Sequence, residues 1–246
     1  MLYFMKNDQI YTTELIPELS NDSINVITVA LDLEEEQIQQ LLKLLTKAEK
    51  ERASRFKFEK HQRGYSVARG SLRKILAGQL KLKPEELDLI YTKTGKPLIS
   101  ENQNKKNILF NLSHSNELAV IALTLNKPVG IDLEYLTDKK DLLGLAKRFF
   151  TNKEYEIISS LAKDKQNEAF YRAWTRKEAY LKATGEGISG IEKVEVSVLE
   201  KEPPKILNTP SETGDWSLYN IQTPNSYIAS LAVQGKEHKI KQFELA

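Results

Sequence analysis

Two α+β lobes of similar build are what this sequence predicts, and three observations predict them. Each half of the chain has helical periodicity followed by short apolar runs of strand length. The turn signal Asn126-Lys127-Pro128 separates the halves. A chain of 246 residues has room for two domains of roughly 100 to 130 residues, each able to bury a core. The expected division is a first lobe over 1–126 and a second over 127–246.

In the first lobe, Asp32 to Glu35 looks like a helix-starting pair ahead of apolar Ile38, Leu41, Leu42, Leu44 and Leu45. A second helix is expected over 64–80, where Tyr65, Ala68, Leu72, Ile75 and Leu76 step by three or four, with Arg69 and Arg73 on another face. Pro84 opens a short turn with Glu85 and Glu86. Strands are expected at 88–92, 108–112 and 118–125, with a turn at Gly95-Lys96-Pro97. In the second lobe the strand 129–134 precedes helices near 139–149, 152–162 and 167–183. Strands follow near 192–199, 216–221 and 226–233, and the Pro-rich piece 201–213 reads as a loop.

Composition excludes several classes. The chain has no cysteine, so disulfides, thiolate metal sites and cysteine nucleophiles are out. No apolar run approaches the length of a membrane span, and the start MLYFMKNDQI lacks the features of a signal peptide. A cytoplasmic protein without a membrane partner is expected. Basic and acidic residues nearly balance, 36 against 34, which argues against a nucleic-acid partner. The charge is uneven, however. Residues 43–81 hold twelve Lys or Arg and three acids, with Phe56, Phe58 and Tyr65 interleaved. Such a stretch either attracts phosphates or forms a solvated helix face.

Three segments carry candidate chemistry. In the strand VGIDLE, Asp132 and Glu134 are two apart and share a face. Two carboxylates aimed together suit a hard ion such as Mg²⁺, or else a strand end whose acids meet solvent or a lysine. In WTRKEAYLK, Glu178 and Lys182 are four apart on one helical face, in the order favourable to an ordinary surface ion pair. Lys177 points about 100° away from Glu178 and is expected to meet substrate or solvent. Asn111 to Ser115 joins two apolar strands, either as a connection whose Ser113 and His114 donate hydrogen bonds to a phosphate or as a polar hairpin turn.

Taken together and in order, these segments are far more specific. V-G-I-D-L-E at 129–134 and W-T-R-K-E-A-Y-L-K at 174–182 resemble the two signature motifs of the 4'-phosphopantetheinyl transferases. R-F-K-F, A-R-G-S-L-R-K-I-L, T-G-K-P, N-L-S-H-S and A-K-R-F-F-T-N-K-E-Y resemble the larger, Sfp-type branch. The resemblance spans about residues 40 to 233, while residues 1–35 carry no motif.

That resemblance implies a monomer of two pseudo-twofold-related α+β lobes with the active site between them. It implies transfer of the phosphopantetheine arm of coenzyme A to a serine of an apo acyl or peptidyl carrier protein, with release of adenosine 3',5'-bisphosphate. Carried over by motif, Asp132, Glu134 and Glu178 are the Mg²⁺ ligands and Lys182 meets a coenzyme A phosphate. Ser113 and His114 contact phosphate, and Lys96 and Pro97 line the adenine and ribose side. Arg63, with Arg52 as second candidate, holds the 3'-phosphate, although the family's arginine aligns with Gly64. Asp132, Glu178 and Lys182 are the expected catalytic set. Two other readings use the same residues: a different Mg²⁺-dependent phosphotransferase, and a non-catalytic carrier-binding module on this fold.

Overall fold

The computed structural model describes residues 16–209 and 214–245; residues 1–15, part of the loop 201–213 and residue 246 lie outside the described residues. In chain order the elements are β1 (Ser23–Ala30), α1 (Glu35–Lys43), α2 (Lys47–Ser54), α3 (Glu59–Leu80), β2 (Leu89–Tyr91), β3 (Pro97–Ile99), β4 (Ile108–Ser115), β5 (Leu118–Leu125) and β6 (Val129–Tyr135). They continue with α4 (Leu142–Phe149), α5 (Asn152–Ser160), α6 (Lys163–Thr184), β7 (Glu195–Val196), β8 (Ile206–Asn208), β9 (Trp216–Ile221), β10 (Tyr227–Gln234) and β11 (Lys239–Leu245). Mixed α and β content is as the sequence predicts. None of the described helices is long and apolar enough to cross a membrane.

The chain divides into two compact units. Among the described residues, the first comprises 16–92, 97–126 and 239–245, and the second comprises 93–96, 127–209 and 214–238. The segment 239–245, which the sequence places in the second lobe without marking a strand, is β11 and belongs to the first unit. There β11 runs parallel to β1, from Ser23 opposite Lys239 to Val29 opposite Leu245. The expectation of strands only from residue 88 onward in the first half missed β1 as well.

The first unit is built on the sheet order β11-β1-β5-β4. One face, carrying Ile27, Val29, Ile121, Leu123 and Phe110, packs against Val67, Leu72, Ile75 and Leu76 of α3. α1 crosses α3 at Gly70, where an added methyl would fall 2.8 Å from the Leu41 Cβ. α2 starts with a capping box, Thr46 and Glu49 each bonding the other's backbone N–H. The same Glu49 then turns inward. Arg69 Nε donates to its Oε1 and Arg73 Nε to its Oε2, both at 2.7 Å, and all three side chains are buried. Arg73 also donates to the Pro84 and Leu87 carbonyls. Two of the twelve cations in the basic stretch are thus internal struts rather than surface charge.

The second unit is built on the sheet order β6-β10-β9, with α6 laid across β6 and β10. Ala173, Leu181 and Tyr180 of α6 join Leu218, Ala232, Phe150 and Ile158 in its core. The helix and strand touch backbone to backbone at Gly130: an added methyl would lie 2.1 Å from the Ala179 carbonyl oxygen and 2.4 Å from the Ala183 nitrogen. No side chain fits there, which explains the glycine inside the strand. Gly185, with φ of 80°, ends the helix in the left-handed conformation.

Gly130→Ala should destabilise the protein by about 1–3 kcal/mol, the cost of overpacking a close contact, and should displace α6 from β6. Urea unfolding of the variant measures the loss, and a midpoint equal to wild type would show that the helix does not need this approach.

Candidate active site

The close contact at Gly130 determines which side chains meet. On β6, Gly130, Asp132 and Glu134 share the face turned to α6, while Ile131 and Leu133 alternate to the other face and are buried. On α6, Ala179 and Ala183 sit against Gly130, so Glu178 and Lys182 flank the contact one turn apart. Lys182 Nζ donates to Asp132 Oδ1 at 2.5 Å and reaches the Ile131 carbonyl at 3.4 Å. Beside them, Ser230, the register partner of Asp132 on β10, bonds Thr175 of α6 hydroxyl to hydroxyl at 2.9 Å.

Electrostatics tie the third carboxylate to this group. Burial pushes the Glu178 carboxyl up to about 7, and the negative charges of Asp132 and Glu134 add to the shift, while Lys182 opposes it. Asp132 and Glu178 are both buried and Glu134 is half-buried. The donor chemistry fits Mg²⁺: three carboxylates whose mutual repulsion a divalent cation would relieve. Their present arrangement is not a formed cage, since among the described residues no three acidic or imidazole side chains gather around one point. Lys182 supplies the positive charge beside Asp132 instead.

Lys96 belongs to the same unit. Its ammonium is largely buried, and that burial lowers its pKa to about 8. It donates to the Lys182 carbonyl at 2.6 Å and lies 3.4 Å from the Val129 carbonyl.

Lys177 departs from expectation. It is fully buried, not in solvent or facing a ligand. Its three donors go to Glu154 Oε2 at 2.6 Å, the Ile191 carbonyl at 3.1 Å and the Val194 carbonyl. Glu154 meanwhile accepts from the Thr151 N–H at 2.8 Å and the Val196 N–H at 2.8 Å. A buried ion pair survives only when its remaining hydrogen-bonding capacity is filled, and here it is. This hub ties the start of α5, the middle of α6 and the segment 191–196 together. The sequence does show the capping box from Thr151 to Glu154, but not that its glutamate would reach Lys177. Arg176 is likewise buried, donating to the Ser197 carbonyl at 2.6 Å and to Asn220.

The remaining predicted residues lie in the first unit. Ser113 and His114 are not in a turn: β4 runs through both, and the hairpin turns at Asn116 and Glu117. Neighbours on a strand face opposite ways, so Ser113 is buried while His114 is exposed. Pro97 opens β3 opposite Tyr91. Arg52 and Arg63 line different cavities. Arg52 stands 5.8 Å from the ring centroid of Tyr65 in a cavity of about 580 Å³ lined also by Arg55, Phe56 and Tyr91. Arg63, beside Gly64, lines a second cavity of about 420 Å³ and is held by Glu35 at 2.9 Å.

Comparison with known proteins agrees with the motif order. Residues 128–232 match the 4'-phosphopantetheinyl transferase superfamily, and residues 32–126 match the family described as 4'-phosphopantetheinyl transferase, N-terminal. The chain is 41% identical to 4'-phosphopantetheinyl transferase HetI of Nostoc sp. over 217 residues, covering 88% of this chain and 90% of that protein. It is 30% identical to 4'-phosphopantetheinyl transferase ffp of Bacillus subtilis, over 64% of this chain and 67% of that one. A 28% identity to the L-aminoadipate-semialdehyde dehydrogenase-phosphopantetheinyl transferase of Xenopus laevis covers 77% and 68% of the two chains.

A carboxyl whose pKa rises on folding costs the folded state stability as pH climbs from 4.5, its ordinary value, to about 7, and the whole cost stands above that. In metal-free buffer, Glu178→Gln should therefore be more stable than wild type at pH 8, by about 3 kcal/mol, and no more stable near pH 4. Urea unfolding at the two pH values checks this; an equal difference at both would remove the burial and repulsion assigned to Glu178.

Proposed function

The chain belongs to the 4'-phosphopantetheinyl transferase superfamily, and on that premise we propose that it moves the phosphopantetheine arm of coenzyme A onto a serine of an apo acyl or peptidyl carrier protein. The observation that carries this reading is the Lys182–Asp132 ion pair beside Glu178, residues of two separate sequence motifs brought together at the Gly130 contact. A monomer working in the cytoplasm is part of the proposal.

In the reaction, the carrier serine oxygen forms a bond to the β-phosphorus of coenzyme A. The bond from that phosphorus to the bridging oxygen breaks, and adenosine 3',5'-bisphosphate departs. Negative charge grows on the departing oxygen, so the protein's share is positioning and charge stabilisation. Lys182, now on Asp132, would supply positive charge to the diphosphate. Asp132, Glu134 and Glu178 are the residues that would hold Mg²⁺, which as a Lewis acid would contribute charge stabilisation on phosphate oxygens.

The serine must also lose its proton. Without a bound ion, burial pushes the Glu178 carboxyl up to about 7, in the range of a general base. A bound cation would lower it, so ion binding and proton acceptance compete for Glu178. Arg52, beside the aromatic rings of Tyr65 and Tyr91, is proposed for the 3'-phosphate ahead of Arg63, whose guanidinium is engaged by Glu35.

Incubation with coenzyme A, Mg²⁺ and a panel of apo-carriers, read by intact mass, tests the proposal. Wild type should add one phosphopantetheine arm to at least one carrier, and Asp132→Ala should add none while remaining folded. Full transfer by Asp132→Ala would overturn the assignment, and coenzyme A binding without turnover on any carrier would favour a non-catalytic binding module. Arg52→Ala should raise KM for coenzyme A about tenfold, the loss of one charge-assisted contact, and should leave KM for 3'-dephospho-coenzyme A nearly unchanged. Arg63→Ala should change neither; the opposite pattern would return the 3'-phosphate to Arg63.

A further inference from the structure

We propose that Lys96 is a positioning residue for the transfer, fixing the end of α6 through the backbone of Lys182 and so setting where the Lys182 ammonium reaches. The inference rests on the reading that Lys182 serves a coenzyme A phosphate.

The last four carbonyls of a helix have no N–H partner further along it. α6 ends at Thr184, and the Gly185 N–H closes on the Leu181 carbonyl at 2.9 Å, so the Lys182 carbonyl is the first beyond the last cap bond. Lys96 Nζ donates to it at 2.6 Å. An ammonium has three donors and no acceptor, and a cation at a helix C-terminus is favoured by the helix dipole. The same ammonium lies 3.4 Å from the Val129 carbonyl, at the start of β6. One side chain therefore joins the loop 93–96, the last turn of α6 and the first residue of the carboxylate strand.

Residue 182 is consequently held at both ends. Lys96 takes its carbonyl, and Asp132 takes its ammonium at 2.5 Å. A lysine side chain has four rotatable carbons, so its reach is defined only as well as its backbone is. The final turn of a helix is also where fraying begins. The loop itself turns at Gly95, whose φ is 83°, and it is grouped with the second unit although β2 and β3 on either side belong to the first. Its sequence T-G-K-P suggests a ligand contact for the lysine, but the ammonium is turned to protein carbonyls. The effect of Lys96 on coenzyme A is thus exerted through Lys182.

Calorimetric titration of the full-length protein with coenzyme A, without carrier, tests the inference on four proteins: wild type, Lys96→Met, Lys182→Ala and the double variant. Lys96→Met should raise Kd about tenfold, the scale of one misplaced charged contact. In the Lys182→Ala background the same change should have an effect of about twofold or less, because residues acting through one another are not additive. A tenfold loss persisting in that background would overturn the inference, since Lys96 would then act on the ligand directly. An unchanged Kd for Lys96→Met would also overturn it. If Lys96→Met fails to fold, Lys96→Gln, which keeps N–H donors at shorter reach, is read in the same way. Wild type that binds no coenzyme A would overturn the functional reading itself, whereas wild-type binding with an insensitive Lys96 overturns the latch alone.

Discussion

The backbone contact between β6 and α6 is the constraint on which the site depends. At Gly130 the helix comes so close that even a methyl group would collide with the Ala179 carbonyl. This proximity brings Lys182 onto Asp132 and puts Glu178 within the field of both strand carboxylates. Small residues on both elements, Gly130 on one and Ala179 and Ala183 on the other, are the reason the approach is possible. The chemistry follows from packing: burial, with the charges of Asp132 and Glu134, raises the Glu178 carboxyl, and a lysine stands beside them.

Around that contact, buried polar groups give α6 a single seat. Thr175, Arg176 and Lys177 are all buried, and each faces a different partner: Ser230, Ser197 with Asn220, and Glu154. A helix held only by apolar packing can slide or rotate at modest cost. One held by a fully bonded Lys177–Glu154 pair cannot shift by a residue without leaving charges buried and unmatched, a loss of several kcal/mol. Glu178 and Lys182 inherit their direction from that fixed seat. The first unit repeats the device, with Glu49 bonding Arg69 and Arg73 beneath the cavity that carries Arg52.

Much of this was legible in the residues, and the limits are instructive. The two-residue spacing of Asp132 and Glu134 placed them on one strand face, and the structure has them there. The four-residue spacing of Glu178 and Lys182 was read equally well as a surface ion pair, because helical periodicity says which residues share a face and not what lies opposite it. Lys177 shows the failure most clearly. Charge suggested solvent, yet a glutamate 23 residues earlier in the chain neutralises it inside the core. Ser113 and His114 were read as a connection because their polarity interrupts an apolar run, but β4 continues through them.

By itself the sequence determined the α+β character, the placement of most helices and strands, and the ordered motifs that assign the chain to its superfamily. These depend on local periodicity, turn chemistry and residue identity, all of which are properties of neighbours along the chain. Only the tertiary structure decided that β11 returns to β1, that Arg69, Arg73 and Lys177 are internal, and that Lys96 grips the end of α6. Each of those outcomes is a pairing between residues distant in sequence, and whether a charge meets water or a buried partner depends on which distant segment folds against it.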